Sequence, residues 1–447
     1  MKRSALSALL IAVLVSGLSV VHNLNFGSAQ APTEVIGIVS SDATWTKTNS
    51  PYTFTGPVGI AEGVTLTIAP GVIVNLGSFY LEVNGTLNAQ GIPADKIVFN
   101  SSNQINRPPL NENNFFPGSN AGMNIFLVYD NPTCKIENAI LYQTSIDGQS
   151  SVSNATVTIN GCSLEGNSKI NVWGSTTISN SYVAGAVSLR GASVISDSTF
   201  LNGIDIAGGC SGSSFSGTYT VSGNNITNKQ GSYVMNVGNA GTITGNIIWG
   251  GSVAGICQAD GFPSMSATIE RNLIINNQIG ILMRKNDNST IQQNTIANNK
   301  VGISYPSPLQ TITGNNIQGN SQYNMQASQT EATAKNNWWG TTDTSTIDNL
   351  IYDDNEDFNL GKITYVPFLT EPNPQALVIP DSTPNVSPPS QPPNQQSSQN
   401  STTPQQPDNQ NGTQVGFNEI EIAILAVLIV IAVSLIVLIG LLLKKRR

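Results

Sequence analysis

The chain has 447 residues, of which only 10% are charged, with 41 Gly, a formal net charge of −8 and one histidine. Six of the 19 basic residues sit at the termini, so the interior carries 13 against 27 acids, a surface that repels nucleic acid and excludes it as a partner. His22 lies in a segment expected to be removed, which excludes His-based acid–base catalysis and His-ligated metals from the mature chain.

Residues 1–31 read as a secretory signal: Lys2 and Arg3, an apolar centre over Leu9–Val15, and the small-x-small site Ala29-Gln30-Ala31. A β-rich outer body is expected over 32–370. Its first part, 35–100, alternates apolar and polar residues in short runs (GVTLTIAPG, GVIVNLG, FYLEVNG) separated by Gly, Pro or Asn, which is strand–turn–strand. Residues 101–122, with Pro108-Pro109 and Phe115-Phe116, read as a loop leaving that body.

From 123 to 340 the chain repeats itself. TITGNIIWGG, TIERNLIINN, TIQQNTIANN and TITGNNIQGN each place an Asn between an apolar residue three before and another two after. Asn224, Asn246, Asn272, Asn294, Asn315 and Asn337 form this ladder, and Ser198, Ser181, Cys162 and Ala139 continue it backwards with the apolar flanks intact. The mean step is about 22 residues, a period that marks a solenoid whose units bury their apolar face only by stacking. Alternation on both sides of each rung argues for short strands, so the fold class is all-β: a parallel β-helix with strands of successive coils about 4.8 Å apart. Asn suits the corner because its amide bonds turn backbone and can bond its neighbours along the column. In a second file, Gly255-Ile256, Gly280-Ile281 and Gly302-Ile303, Gly is expected to allow a bend and Ile to return inward.

Residues 341–370 read as the end cap. Residues 371–418 are rich in Pro, Gln, Ser and Asn and too poor in apolar residues to fold, so an extended linker is expected. Residues 420–443 contain 22 consecutive uncharged positions, Ile422 to Leu443, enough for one C-terminal transmembrane α-helix. Lys444 to Arg447 follow as a basic cytoplasmic tail, which puts everything before the span outside the cell membrane. No LPxTG-type sorting motif precedes the span. Eight N-glycosylation sequons begin at Asn84, Asn100, Asn154, Asn225, Asn288, Asn385, Asn400 and Asn411.

The repeats I-x-x-N-x-I…G-I resemble the right-handed parallel β-helix repeats of the pectate-lyase-like superfamily, including NosD-like and carbohydrate-active members, over about Ala61 to Gly340. The ending NNWWGTTDTSTID…YDDNEDFNLGKITYVPFLTEPNP is similar to the closing segment of archaeal and bacterial surface β-helix proteins. The resemblance implies a β-helix and, in its polysaccharide-cleaving members, clustered carboxylates: Ca²⁺-binding acids with a basic proton acceptor in lyases, paired Asp in hydrolases.

Such chemistry needs acids in one column on adjacent coils. By offset from the rungs, Glu137 and Glu270 lie six rungs apart, and Asp147, Glu165, Asp197 and Asp205 share no column with a neighbour. Asp260 with Arg284, Lys285 and Asp287 is the one candidate cluster, set against a solvated loop face. Asp353, Asn355 and Asp357 offer oxygens for Ca²⁺, but Phe358 stands where an EF-hand-type loop needs Gly, so an acidic cap is the competing reading. Trp338 and Trp339 are a sugar platform or cap packing; Trp173 and Trp249 are open in the same way. The cysteines Cys134, Cys162, Cys210 and Cys257 lack metal spacing and read as buried small residues, with disulfides outside the cell as the alternative, and the scattered methionines supply no copper set. The expectation is a membrane-anchored surface rod, non-enzymatic, either glycan-binding or adhesive or with a structural role in the cell envelope, with no resident cofactor; the alternative is a tethered polysaccharide lyase or glycoside hydrolase.

Overall fold

The computed structural model describes residues 31–102, 124–128, 131–148, 154–206, 217–228, 231–238, 240–258, 266–283 and 288–379. Contacts divide the chain into two units, 1–392 and 393–447, and the second lies wholly outside the described residues. The signal segment, the loop at 103–123 and the expected span at 420–443 lie outside them too. Among the described residues no helix is long and apolar enough to cross a membrane.

The first unit is a parallel β-solenoid of the right-handed type. Each coil contributes three short strands. First-column strands stack into one twelve-stranded sheet, from Ala43–Trp45 to Thr311–Thr313. Second- and third-column strands belong to a twenty-five-stranded sheet that begins at Thr33–Val39. Eleven steps at about 4.8 Å make the twelve-stranded sheet about 53 Å long.

Apolar side chains stack in register. Ile178, Ile195, Val221, Ile243, Ile269, Ile291 and Ile312 follow one another in the first column. Phe200, Ile226, Ile248, Ile274, Ile296 and Ile317 do so in the second. All are buried, and they pool into a single axial core. These are the residues three before and two after each rung, so the repeat's apolar flanks are the core itself.

The corner between first and second columns has a fixed chemistry. A residue with left-handed backbone precedes each rung: Gly223, Gly245, Arg271, Gln293, Gly314 and Asn336, at φ from 51° to 67°. The rung Asn then turns inward and joins the next. Asn224 Nδ2 donates to Asn246 Oδ1, Asn246 to Asn272, Asn272 to Asn294, Asn294 to Asn315 and Asn315 to Asn337, all at 2.9–3.0 Å. Ser and Cys rungs extend the file: Asn224 Oδ1 accepts Ser198 N–H, Ser198 Oγ accepts Ser181 N–H, and Ser181 Oγ accepts Cys162 N–H.

A second asparagine file occupies the next corner, between second and third columns. Asn277 Nδ2 donates to Asn299 Oδ1 at 3.0 Å, and Asn299 to Asn320 at 3.1 Å. Left-handed Asn276, Asn298 and Gly319 precede these three. This file explains the glycines after it. A Cβ on Gly280 would lie 2.5 Å from Gly302 O and 3.1 Å from Asn299 Nδ2, and one on Gly255 would lie 2.8 Å from Asn277 Nδ2. None of Gly255, Gly280 and Gly302 has positive φ. The expected bend is therefore corrected: these glycines admit the neighbouring amide and carbonyl, a close approach rather than a backbone turn.

The C-terminal end is closed. Trp339 is buried in the axial core, and α1 (Thr344–Asn349), capped by the Asp343 carboxylate on Thr346 N–H, buries Ile347 against that core. The chain then runs back along the outside of the second column. Asn373 N–H donates to Asn316 Oδ1 at 2.7 Å, Gln293 Nε2 to Gln375 Oε1 at 2.6 Å, and Thr295 Oγ1 to Leu377 O at 2.6 Å. Ile379 covers an outward apolar patch of Leu273, Ile275 and Ala297. Residues 371–379, assigned to the linker by composition, are thus held by side chains of three earlier coils.

Candidate functional site: the outer faces of the coil

The outer face of the twelve-stranded sheet carries a file of hydroxyls. Thr158, Thr177, Val194, Thr220, Thr242, Thr268, Thr290 and Thr311 are direct register neighbours on successive coils, so seven of eight positions are threonine. Each of the seven is partly or fully exposed. Strand alternation dictates this, because the residues on either side of each Thr point into the core.

The third column's outer face is different. Glu82, Phe126, Asp147, Asn171, Ser188, Asp205 and Asn236 follow one another there. Asp147 and Asp205 therefore do share a column, three coils apart, with Glu82 two coils before Asp147. Neither has an acid on an adjacent coil of that column, and offsets counted from the rungs do not show the column because the loops between columns vary in length. Among the described residues of this column, adjacent coils carry no pair of acids. Asn171 Nδ2 donates to Asp147 Oδ1 at 2.7 Å, and Arg190 Nη2 to Asp205 Oδ2 at 2.9 Å. Burial raises the Glu82 carboxyl above the usual range.

Asp260, Arg284, Lys285 and Asp287 lie outside the described residues. Asp353 is buried, and its oxygens accept the backbone N–H groups of Asn355 at 3.1 Å and Ile363 at 2.9 Å. Asp357 Oδ1 accepts Asn359 N–H and Nδ2. Asp353 thus ties the end cap together, with its lone pairs directed at turn backbone. Among the described residues no group of three or more His, Cys, Asp or Glu is placed to hold a metal.

The tryptophans divide between roles. Trp339 is buried and packs edge-on to Tyr365, 6.0 Å between centroids. Trp338 Nε1 donates to Gln318 and Trp249 Nε1 to Asn225, so both rings are fixed on the second column's outside. Trp173 is half-buried.

A family model described as "Periplasmic copper-binding protein (NosD)" matches residues 142–353. No curated protein and no solved structure matches the chain. Copper needs thiolate, thioether or imidazole donors facing one point. Here Cys134 and Cys162 are buried thiols pushed up to about 12 by burial, and Cys162 Sγ donates to Ile136 O and Asn160 O. Cys257 is buried and donates to Gln258 O. Met235, Met283 and Met325 are fully buried in the apolar core. Among the described residues the donors do not fit a copper site. The chain is a parallel β-helix repeat protein, similar over residues 142–353 to the family described as NosD.

Proposed function

We propose that the chain is a non-enzymatic surface β-helix that binds hydroxyl-rich polymers, carbohydrate above all, along the outer face of its twelve-stranded sheet. The observation that supports this reading is the threonine file from Thr158 to Thr311. Each threonine offers a hydroxyl that donates and accepts and a methyl group, repeated about every 4.8 Å, so a polymer lying along the axis meets the same chemistry at every step but Val194. The signal-type start, the proline-rich linker and the uncharged stretch 422–443 with its basic end support a rod held outside the membrane by one span. A periplasmic family description agrees with an extracytoplasmic site.

The second reading, a tethered polysaccharide lyase or hydrolase, draws on Glu82 and Asp147. They stand two coils apart, about 10 Å at the strand spacing. Inverting hydrolysis needs a water between the carboxyls. Phe126 occupies that place, so binding ranks above cleavage.

The test is incubation of the detergent-solubilised full chain with neutral and acidic polysaccharides, with and without Ca²⁺, reading both retention and polymer length. Retention at unchanged polymer length is expected. Shortened polymer would replace this reading with the second, and no retention on any polymer would reject both.

A further inference from the structure

We propose that Asn100, Asn154 and Asn288 carry N-linked oligosaccharide, whereas the sequons at Asn84 and Asn225 stay bare. All five are Asn-x-Ser/Thr and cannot be told apart in the sequence. The fold separates them. Transfer forms a bond from the side-chain amide nitrogen to the anomeric carbon of a polyprenyl-phosphate-linked oligosaccharide. The bond from that carbon to the phosphate oxygen breaks, the lipid phosphate leaves, and the amide gives up one proton. The amide must therefore reach solvent, and the attached sugar must have room.

Asn100 lies on a second-column strand between inward Phe99 and Ser101, and its own side chain is exposed. Ser102 of that sequon is exposed as well. Asn154 and Asn288 both sit at the corner leading into the first column, exposed, each followed by a buried residue, Ala155 and Ser289, that fixes the direction of the backbone. The Asn amide at both places points away from the core.

The other two are obstructed. The Asn84 side-chain oxygen is buried, and the chain beside it passes so close to the preceding coil that a Cβ on Gly85 would overlap Ala61 O and Val64 O. Asn225 is half-buried, its oxygen accepts the Trp249 indole N–H at 3.0 Å, and Thr227 of its sequon is 1% exposed. A sugar there would displace an indole ring. The three open sites leave the third-column strands bare, and on the twelve-stranded sheet they touch only the corner into the first column.

The experiment is peptide mapping by mass spectrometry of the full chain isolated from the membranes of the organism that encodes it, before and after removal of N-linked sugar. Expected are glycopeptides at Asn100, Asn154 and Asn288, unmodified peptides at Asn84 and Asn225, and loss of one glycan mass in each of Asn154→Gln and Asn288→Gln. Unmodified Asn100, Asn154 and Asn288 would overturn the proposal, whatever the state of Asn385, Asn400 and Asn411. Occupancy at Asn84 or Asn225 equal to that of the three would overturn it equally.

Discussion

Asn272 Oδ1 accepts two hydrogen bonds from Asn246, one from the backbone N–H at 2.9 Å and one from the side-chain amide at 2.9 Å. The two residues are 26 apart in sequence and one coil apart in space. Asn272 in turn donates to Ile243 O, Glu270 O and Asn294 Oδ1. One fully buried side chain therefore satisfies the turn backbone of its own coil and of the coil before it.

Removing that side chain leaves several buried polar groups without partners, each costing about 1–3 kcal/mol. Asn272→Ala is expected to destabilise the solenoid by about 3–5 kcal/mol in denaturant unfolding. Asn272→Ser should cost about half as much, because Ser198 Oγ and Ser181 Oγ accept the same backbone bond, from Ser181 N–H and Cys162 N–H, in the same file. Equal losses for Ala and Ser would show that the bond along the column contributes nothing.

Gly280 tests the reason for the third-column glycines. Gly280→Ala drives a Cβ against Gly302 O and is expected to cost about 1–3 kcal/mol through overpacking. Gly59→Ala, where the nearest atom is Ile38 Cγ1 at 3.9 Å, should stay within about 0.5 kcal/mol of the parent. Thermal midpoints of the two variants decide it: matching midpoints would return these glycines to a mere conformational role.

The thiols report on the core and on copper together. Burial holds Cys134 and Cys162 protonated far above neutral pH, at about 12. In a Cys210→Ala background no thiol should react with a disulfide reagent at pH 8 until denaturant is added, after which all three remaining thiols react. Rapid labelling of the native chain, or its protection by cuprous ion, would contradict the assignment of these cysteines to the core.

Tyr365 gives the end cap a pH signature. Burial, then its hydrogen bond to Asp348 Oδ1 at 2.6 Å, pushes its phenol from 10.0 up to about 12. The folded state thus favours the neutral form: this contribution is complete below pH about 10 and is lost as pH rises through about 12. The stability difference between the parent and Tyr365→Phe should be flat below pH 10 and shrink between 10 and 12. A difference independent of pH throughout would remove Tyr365 from the cap's electrostatics.

The architecture was legible because one residue type carries one duty at a fixed interval: Asn224 to Asn337 mark a corner, and the apolar residues flanking each mark the core. The second file, Asn277, Asn299 and Asn320, was equally present as an Asn five residues after each of Asn272, Asn294 and Asn315. Neighbouring Asn276 and Asn298 blur that pattern in the sequence, and only φ separates the left-handed residue from the inward one. The column shared by Glu82, Asp147 and Asp205 was hidden for another reason. Third-column register depends on how many residues each loop inserts, and offsets counted from the first corner lose that information. The docking of 371–379 depends on Asn373, Gln375 and Leu377 meeting coils some 60 to 80 residues earlier, and composition says nothing about such pairs.

The most direct test of the binding account is polysaccharide affinity of the full chain carrying Thr220→Val, Thr242→Val and Thr268→Val together. Valine keeps the β-branched shape that favours a strand and removes only the hydroxyls. Affinity at least tenfold weaker at an unchanged unfolding midpoint is the result the threonine face predicts. Unchanged affinity would mean that these hydroxyls belong to strand formation alone, and that the ligand, if one is bound, lies on another face.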